Sequence, residues 1–192
     1  AQRGLMLFNP FTGQQQLVPN SYPGPWRWAA DGSQLAFFVS GQDSCQLGLY
    51  SLQDGSVRLI SAMLLGNHCI EYFGPMRITD WTSDGRYLFF DAGTGADRYL
   101  TIIDVIDDRA VIDLSSTIYT SAKISPDGAN LALDLTQGNE PDMHDPSVTI
   151  IDVRSGEQQI VTSGVIFEDW YRVLDWLPDG RILYLWSHQQ IE

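Results

Sequence analysis

Residues 80–90 read DWTSDGRYLFF, an apolar run that enters an Asp-Gly turn at Asp84-Gly85 and continues into a second apolar run. Glycine tolerates the positive φ of a tight turn and aspartate bonds nearby backbone amides, so this stretch predicts a β-hairpin. The pattern recurs as RWAADGSQLAFF at 27–38, KISPDGANLALD at 123–134 and LDWLPDGRILYL at 174–185. Repetition at roughly 40 to 50 residues, with several short strands in each unit, is the signature of a β-propeller with four-stranded antiparallel blades.

A second hairpin follows the Asp-Gly hairpin in the first three units. Its first strand ends at a short polar residue able to cap a turn, namely Ser51, Asp104 or Asp152. The fourth unit stops after ILYLWS at 182–187, but LMLFNPFTGQQQLV at 5–18 has the shape of a second hairpin, with Asn9 at the capping position. We therefore predict one all-β propeller domain over residues 1–192, with blades at about 26–60, 77–114, 120–161, and 171–187 plus 5–18.

The two half-units raise the question of how the propeller closes. If residues 5–18 pair with 172–187, the chain forms a four-bladed ring without an open sheet edge. The alternative is a segment of a larger propeller, in which each half-blade pairs elsewhere. We favour closure, because a cut fragment would seldom fall at complementary half-blades. The chain does not begin with Met, so we also expect it to be a processed or excised piece of a longer protein.

Composition narrows the function classes. The formal net charge is −13 with only 11 basic residues, so a nucleic-acid backbone or an anionic membrane surface would repel the chain. The sequence contains no apolar run long enough for a membrane-spanning helix, so we predict no membrane insertion. No G-x-S-x-G, H-E-x-x-H or C-x-x-C motif occurs, and we predict that the chain itself is not an enzyme.

The repeat also resembles a known family. The string SPDG at 125–128, followed by small and aliphatic residues and then by the hairpin IIDVRSGE at 150–157, resembles the WD40-like propeller repeats of the TolB-like family. The resemblance covers nearly the whole chain. It implies a non-enzymatic interaction domain in an extracytoplasmic setting, either periplasmic or secreted.

One face of the disc is the predicted binding surface. In a propeller, the loops that lead into the first strands share a face with the loops between second and third strands, and this face commonly binds ligands. Aromatic and arginine side chains are typical interface anchors. We predict that this face binds a protein or peptide through Trp26, Arg27, Tyr72, Phe73, Arg77, Tyr119, Trp170, Tyr171 and Arg172.

Charges of alternating sign occupy one equivalent position of the four first strands. Because buried charges are normally paired, we predict a ring of ion pairs between neighbouring blades. Its members are Arg27, Asp80, Lys123 and Asp175. Arg77 and Arg172 stand where the other units have Gly24 and Thr120, so their guanidinium groups are available to an anionic or peptide ligand. The two roles use different residues and are compatible.

Two acidic loops are candidates for a cation site. Asp91 and Asp97 flank a glycine-containing turn, and Asp142 and Asp145 lie in EPDMHD at 140–145. Neither loop has the dense oxygen spacing of an EF-hand. We expect solvated loops here, with weak Ca²⁺ binding as the alternative, and we predict no other cofactor.

Cys45 and Cys69 are the two cysteines of the chain. Cys45 lies between the second and third strands of the first blade, and Cys69 lies in the long loop that leaves the outer strand of that blade. Both loops belong to the same face, so a disulfide is geometrically reasonable and would tether the long loop. Such a bond would fit an oxidising compartment, and two free buried thiols are the alternative.

Two functions therefore remain open at the level of sequence. The first is a non-catalytic propeller that binds a protein or peptide on its loop-bearing face. The second is an accessory propeller domain of a hydrolase or other enzyme whose catalytic part lies outside residues 1–192.

Overall fold

The structure, a computed structural model, describes residues 4–40, 45–65, 77–92, 99–114, 119–135, 146–164 and 169–188. These residues form sixteen β-strands and no helix. In chain order the strands are β1 (Met6–Phe8), β2 (Gln15–Leu17), β3 (Ser21–Trp28), β4 (Gln34–Ser40), β5 (Cys45–Ser51), β6 (Val57–Leu65), β7 (Arg77–Trp81), β8 (Tyr87–Ala92), β9 (Tyr99–Asp104), β10 (Arg109–Asp113), β11 (Tyr119–Ile124), β12 (Asn130–Leu135), β13 (Ser147–Asp152), β14 (Gln158–Ser163), β15 (Asp169–Trp176) and β16 (Ile182–His188).

The strands form three four-stranded antiparallel sheets. Each sheet takes its strands in chain order: sheet I is β3–β6, sheet II is β7–β10 and sheet III is β11–β14. Two two-stranded sheets precede and follow them, the amino-terminal hairpin β1–β2 and the carboxy-terminal hairpin β15–β16. The predicted all-β architecture of four-stranded antiparallel blades is confirmed.

The structure forms no closed ring among its described residues. The predicted pairing of residues 5–18 with 172–187 is not present, because the two hairpins pack against different sheets. The amino-terminal hairpin packs on sheet I, where Leu5 and Leu7 contact the cluster that contains Phe37. The carboxy-terminal hairpin packs on sheet III through Tyr171 and Val173. The described chain is therefore a row of sheets with a half-blade on each side.

Alternating side chains hold neighbouring sheets together. In β8, Leu88 and Phe90 join the apolar cluster shared with sheet I, whereas Tyr87 and Phe89 join the cluster shared with sheet III. The ring of Phe90 meets the ring of Phe38 edge to face, with centroids 5.6 Å apart. Burying a side chain of this size stabilises the fold by about 1.5–3 kcal/mol. Because successive residues of a strand point to opposite faces, a central sheet is apolar on both sides.

The Asp-Gly turns have the predicted conformation. Gly85 has a φ of 72°, in the left-handed region that glycine reaches without a steric cost. The carboxylate of Asp84 accepts the amide of Arg86 at 3.0 Å and so closes the turn locally. In the first unit, the amide and hydroxyl of Ser33 hold the pKa of Asp31 below its ordinary value. The sequence therefore sets both the position and the bonding of these turns.

The predicted capping role of Asp104 is confirmed. Its carboxylate is fully buried and accepts the amides of Ile106 and Asp107, each at 3.1 Å. It also accepts Nε of Arg86 at 2.8 Å. Burial raises the pKa of Asp104, but the Arg86 and amide hydrogen bonds outweigh it and leave this pKa below the ordinary value.

The carboxy-terminal hairpin differs from the other Asp-Gly hairpins by one residue of register. Trp81 lies opposite Leu88 in sheet II, and the turn closes with a bond from the amide of Thr82 to the carbonyl of Tyr87. The equivalent Trp176 lies opposite Ile182. There the amide of Leu177 donates to the carbonyl of Arg181, one residue earlier than the repeat predicts. A one-residue shift moves every side chain of a strand to its other face.

A buried aspartate joins sheet III to the carboxy-terminal hairpin. Asp134 has no exposed surface, and its two carboxylate oxygens accept the amide of Ser121 at 2.6 Å and that of Val173 at 3.1 Å. The hydroxyl of Ser121 also donates to the carbonyl of Val173 at 2.6 Å. Nε1 of Trp176 donates to the carbonyl of Lys123 at 2.8 Å. Polar bonds therefore reinforce apolar packing at this contact.

Candidate binding face

The predicted binding face lies at the end of the sheets where the first strand of each sheet starts and its second strand ends. The sequence predicts the loops of this face within 41–44, 66–76, 93–98, 115–118, 136–145 and 165–168, and these ranges lie outside the described residues. Tyr72 and Phe73 belong to the second of these loops, so their binding role stays a prediction. The described part of the face is the rim formed by the strand ends.

An aromatic and charged group occupies this rim on the carboxy-terminal hairpin. Asp169 starts β15 and lies opposite His188 at the end of β16. Its Oδ1 accepts Nε1 of Trp186 at 3.0 Å and lies 3.0 Å from Nδ1 of His188. The rings of Trp186 and His188 stack with centroids 6.3 Å apart. We call Asp169, Trp170, Trp186 and His188 the rim cluster.

Two predicted anchors are exposed next to these contacts. Trp170 retains 40% of its surface and Arg172 is also exposed. Both alternate along β15 with the buried Tyr171 and Val173, so they lie on the face of the strand that turns away from sheet III. The predicted exposure of Trp170 and Arg172 is thus present in the structure, while ligand binding by them stays a prediction.

Two other predicted anchors are buried, and the expectation that they are exposed is wrong. Tyr119 is 2% exposed, and its hydroxyl donates to Oδ1 of Asp91 at 2.7 Å. Tyr171 is 6% exposed, and its ring packs edge to face on Tyr184 with centroids 6.1 Å apart. Tyr119 is the first residue of β11 and Tyr171 is the third residue of β15, and both rings lie on the side that faces the preceding sheet. They serve contacts between sheets, where an aromatic ring buries a large apolar area.

One pair of the predicted ion-pair ring is present. Arg27 of sheet I lies 3.0 Å from Asp80 of sheet II, with both side chains almost half exposed. Lys123 and Asp175 form no such bridge with each other in the described chain. Instead the carboxylate of Asp175 accepts the backbone amide of Trp176 at 2.9 Å. The Arg27–Asp80 pair is a solvated contact, and pairs of this kind contribute about 0–1 kcal/mol.

Trp26 and Arg77 are exposed but lie apart from the rim cluster. Trp26 retains 51% of its surface and stands on β3 beside the amino-terminal hairpin. Arg77 starts β7 directly opposite Asp91. The structure therefore distributes the predicted anchors over several sheets, and it brings Trp170 and Arg172 together on one strand.

The predicted cation ligands are only partly described. Asp91 bonds the hydroxyl of Tyr119, while Asp97, Asp142 and Asp145 lie outside the described residues. Among the residues that are described, no group of three His, Cys, Asp or Glu side chains could hold a metal ion. Cys69 also lies outside them and Cys45 starts β5, so the disulfide stays a prediction.

Sequence reasoning missed two members of the rim cluster. Trp186 and His188 follow the fourth Asp-Gly turn, and the antiparallel register brings them to Asp169 and Trp170. A count outward from the turn at Asp179 would have placed these four residues at one end of the hairpin, because antiparallel partners lie at nearly equal distances from it.

Solved structures show which fold this arrangement represents. The β-propeller domain of the trilobed protease of Pyrococcus furiosus matches with a TM-score of 0.55 at 13% identity, over 87% of this chain and 51% of that one. The acylaminoacyl peptidase of Pyrococcus horikoshii matches with a TM-score of 0.59 at 14% identity, over 93% of this chain and 30% of that one. The chain has the β-propeller fold. Its predicted resemblance to TolB-like propellers is confirmed at the level of the fold.

TolB itself is also among the similar structures. TolB of Acinetobacter baumannii matches at 19% identity with a TM-score of 0.46, over 86% of this chain and 39% of that one. The chain spans about half or less of each of these three proteins. No family model matches the sequence, and no curated protein matches it.

The described residues contain no helix that is long and apolar enough to cross a membrane.

Proposed function

We propose that this chain is a non-catalytic β-propeller module that binds a protein or peptide on its loop-bearing face. The observation that supports the proposal is the rim cluster together with the neighbouring Arg172. Tryptophan and arginine are the side chains that most often anchor interfaces. Here Trp170 and Arg172 are exposed on one strand while the strand itself is fixed to sheet III by buried neighbours.

The chemistry of this rim suits an extended peptide. Trp170 offers an apolar ring for a side chain of the ligand, and Arg172, on the same face of β15, offers a planar donor for a backbone carbonyl or a carboxylate. Trp186 offers a second exposed ring on the other face of the hairpin. Asp169 already bonds Trp186 and lies next to His188, so part of the rim is ordered before a ligand arrives. An ordered site loses less entropy when it binds.

A selection from a displayed library of random peptides would test this proposal. Peptides that bind the wild-type chain are labelled and titrated by fluorescence polarisation against Trp170→Ala and Arg172→Ala. Loss of an anchor costs about 2 kcal/mol or more, so we expect Kd to rise by about 30-fold for each variant.

The matched controls are Ile106→Ala and Arg154→Ala. Both residues are exposed on turns that lie beside the Asp-Gly turns, at the opposite end of the sheets. We expect them to leave Kd unchanged within a factor of two. Binding that resists both rim substitutions, or that falls equally with the controls, would show that the rim is not the site.

A second candidate function is an accessory propeller domain of a hydrolase. The acylaminoacyl peptidase of Pyrococcus horikoshii is a hydrolase by name and contains this fold over 30% of its length. An accessory domain predicts that the gene encodes a recognisable catalytic domain on the same polypeptide. Sequencing the transcript on both sides of residues 1–192 would decide between this candidate and an independent binding module.

An extracytoplasmic location is the third part of the proposal. It rests on the TolB-like resemblance and on the predicted bond between Cys45 and Cys69. Thiol alkylation of the protein purified without reductant, followed by mass spectrometry, measures the bond directly. A fully alkylated pair would remove this support for an oxidising compartment.

A further inference from the structure

The carboxylate of Asp169 lies directly over the backbone of Gly164. Gly164 follows β14, and its amide donates to the carbonyl of Pro146 at 2.9 Å, which fixes it to sheet III. A Cβ atom added to Gly164 would lie 2.6 Å from Oδ2 of Asp169. Carbon and oxygen atoms that are not bonded do not pack this closely. The first residue of β15 therefore occupies its place because residue 164 has no side chain.

Backbone conformation does not explain the glycine at this position. Gly164 is not among the glycines with a positive φ, so a side chain would not strain its backbone. The end of an outer strand does not demand a glycine either. Leu114 follows β10 in sheet II, and its amide makes the same kind of bond, to the carbonyl of Leu100 at 2.8 Å. The requirement for glycine comes from the close approach of Asp169.

The other carboxylate oxygen of Asp169 determines which nitrogen of His188 is protonated. Oδ1 accepts Nε1 of Trp186 at 3.0 Å, and an indole nitrogen only donates. Nδ1 of His188 lies 3.0 Å from the same oxygen. An ionised carboxylate only accepts hydrogen bonds, so Nδ1 carries a proton and donates to Oδ1 as well.

The proton on Nδ1 leaves the opposite nitrogen of the ring as an acceptor. A neutral imidazole has one N–H group, so Nε2 of His188 has a free lone pair. The ring stacks on that of Trp186 with the two planes inclined by 28°, which adds to the orientation given by the hydrogen bond. The side chain of His188 is 39% exposed and that of Asp169 only 11%. The imidazole is therefore the open end of this contact.

These contacts lie on the side of the hairpin that faces sheet III. Asp169 is directly opposite His188 in register, and Tyr171 is directly opposite Trp186. Opposite residues of an antiparallel pair point to the same face, and Tyr171 packs on sheet III. The group is thus a corner between the end of β14 and the hairpin, and it does not involve the outer edge of β16.

The corner adds an acceptor to a rim that otherwise offers donors. The guanidinium of Arg172 and the indole of Trp170 have donor groups only. An extended peptide presents a backbone N–H at every residue except proline. A ligand N–H that loses water on binding and finds no acceptor costs about as much as a lost hydrogen bond. An oriented imidazole nitrogen removes that cost for one N–H of the ligand.

We propose that His188 selects a peptide ligand with a backbone N–H at this corner, and that Asp169 and Gly164 are positioning residues for it. Nε2 of neutral His188 accepts the N–H of the ligand. The carboxylate of Asp169 keeps the proton of the ring on Nδ1, and the bare backbone of Gly164 leaves room for that carboxylate. The inference rests on the proposed function, because it names the ligand group that the rim cluster takes up.

Nitrogen-15 NMR of the histidine rings tests the tautomer without a ligand. At neutral pH, His188 of the wild type should carry its proton on Nδ1. Gly164→Ala and Asp169→Ala should both lose this preference and shift the indole N–H resonance of Trp186, because the carboxylate is displaced or absent. The control is Ser163→Ala, an exposed change on β14 that should leave both signals unchanged. Asp169→Ala keeps the test decisive if Gly164→Ala does not fold.

Fluorescence polarisation with the peptides selected on the wild-type chain tests the acceptor. His188→Asn retains an amide donor near the position of Nδ1 but has no atom at the position of Nε2. Its Kd should rise about tenfold, because the ligand N–H loses its acceptor. His188→Gln places an amide oxygen near the position of Nε2 and should recover most of this loss.

An N-methyl scan of the peptide identifies the partner of His188. Each methylation removes one backbone N–H from the ligand. One methylated position should raise Kd about tenfold with the wild type and should have little further effect with His188→Asn. Such non-additivity is expected only when the two groups interact directly.

Two results would overturn the inference. One is a folded wild type in which His188 carries its proton on Nε2 or on both nitrogens at neutral pH. The other is peptide binding that is unaffected by His188→Asn, and if the same binding falls in Trp170→Ala and Arg172→Ala, the proposed function stands without the acceptor. Binding that depends on His188 but not on Trp170 or Arg172 would instead refute the proposed anchors and retain the acceptor.

Discussion

Replacement of Asp134 by alanine tests how the carboxy-terminal hairpin is held to sheet III. The substitution removes the acceptor of the buried amide of Val173 and of the partly buried amide of Ser121. A buried donor that loses its partner costs about 1–3 kcal/mol, so the expected loss of unfolding free energy is about 2–5 kcal/mol. That is a large part of the total stability of an ordinary domain, about 5–15 kcal/mol.

Asp134→Asn separates charge from hydrogen bonding. Asparagine retains one acceptor oxygen, but its amide group faces the second backbone N–H and cannot accept it. We expect a loss between those of the wild type and Asp134→Ala. The control is Asp113→Ala, because Asp113 is exposed on β10 and a surface change of this kind stays within about 0.5 kcal/mol.

Urea unfolding and hydrogen exchange give independent measurements of this contact. Urea unfolding gives the change in free energy for each variant, provided that the slope with denaturant is unchanged. Exchange of the Val173 amide reports the local contact, and it should become faster in Asp134→Ala than in the control. A loss below about 1 kcal/mol with unchanged exchange at Val173 would refute the reasoning.

Two further predictions concern a tryptophan pair and a buried carboxylate. Trp176→Phe should lose about 0.5–1.5 kcal/mol more unfolding free energy than Trp81→Phe. The reason is that Nε1 of Trp176 donates to the carbonyl of Lys123, whereas Nε1 of Trp81 is buried without a partner. Equal losses in urea unfolding would contradict this prediction. The pKa of Asp104 is lower in the folded state than in the unfolded state. Its contribution to the free energy of unfolding is therefore complete above the unfolded pKa of about 3.9 and disappears as pH falls through the lower folded pKa. Arg86→Gln raises that folded pKa toward the unfolded value, so this variant should be less stable than the wild type at neutral pH and should lose less stability on acidification. The difference between their thermal unfolding temperatures should therefore shrink as pH falls below about 3.9, and parallel pH curves would contradict the assignment.

The fold could be predicted because its signals are local. The Asp-Gly turns depend on a glycine with positive φ and on a carboxylate that bonds an amide two residues away, and both are visible in the sequence. The capping role of Asp104 is equally local. Alternating apolar residues such as Leu88 and Phe89 indicate strands with two buried faces, although not which sheet each face contacts.

The candidate site was harder to predict because exposure depends on neighbouring sheets. Tyr119 and Tyr171 resemble Trp170 in sequence context, yet the preceding sheet covers the first two and leaves Trp170 open. The rim contacts of Trp186 and His188 depend on the register of β16, which the repeat alone predicts one residue away from the observed pairing.

The shifted pairing of β16 means that equivalent positions in the repeat are not equivalent in space. When the repeats are aligned, Leu183 and Leu185 occupy positions that face the preceding sheet in sheets I–III. In the structure Ile182 packs against the cluster shared with sheet III instead, and Tyr184 contacts Tyr171 on the same side of the hairpin. A consensus substitution at Leu183 would therefore alter the open side of the hairpin and leave its core unchanged. The contact of the Tyr184 ring with Tyr171 therefore reports the shifted register of the hairpin.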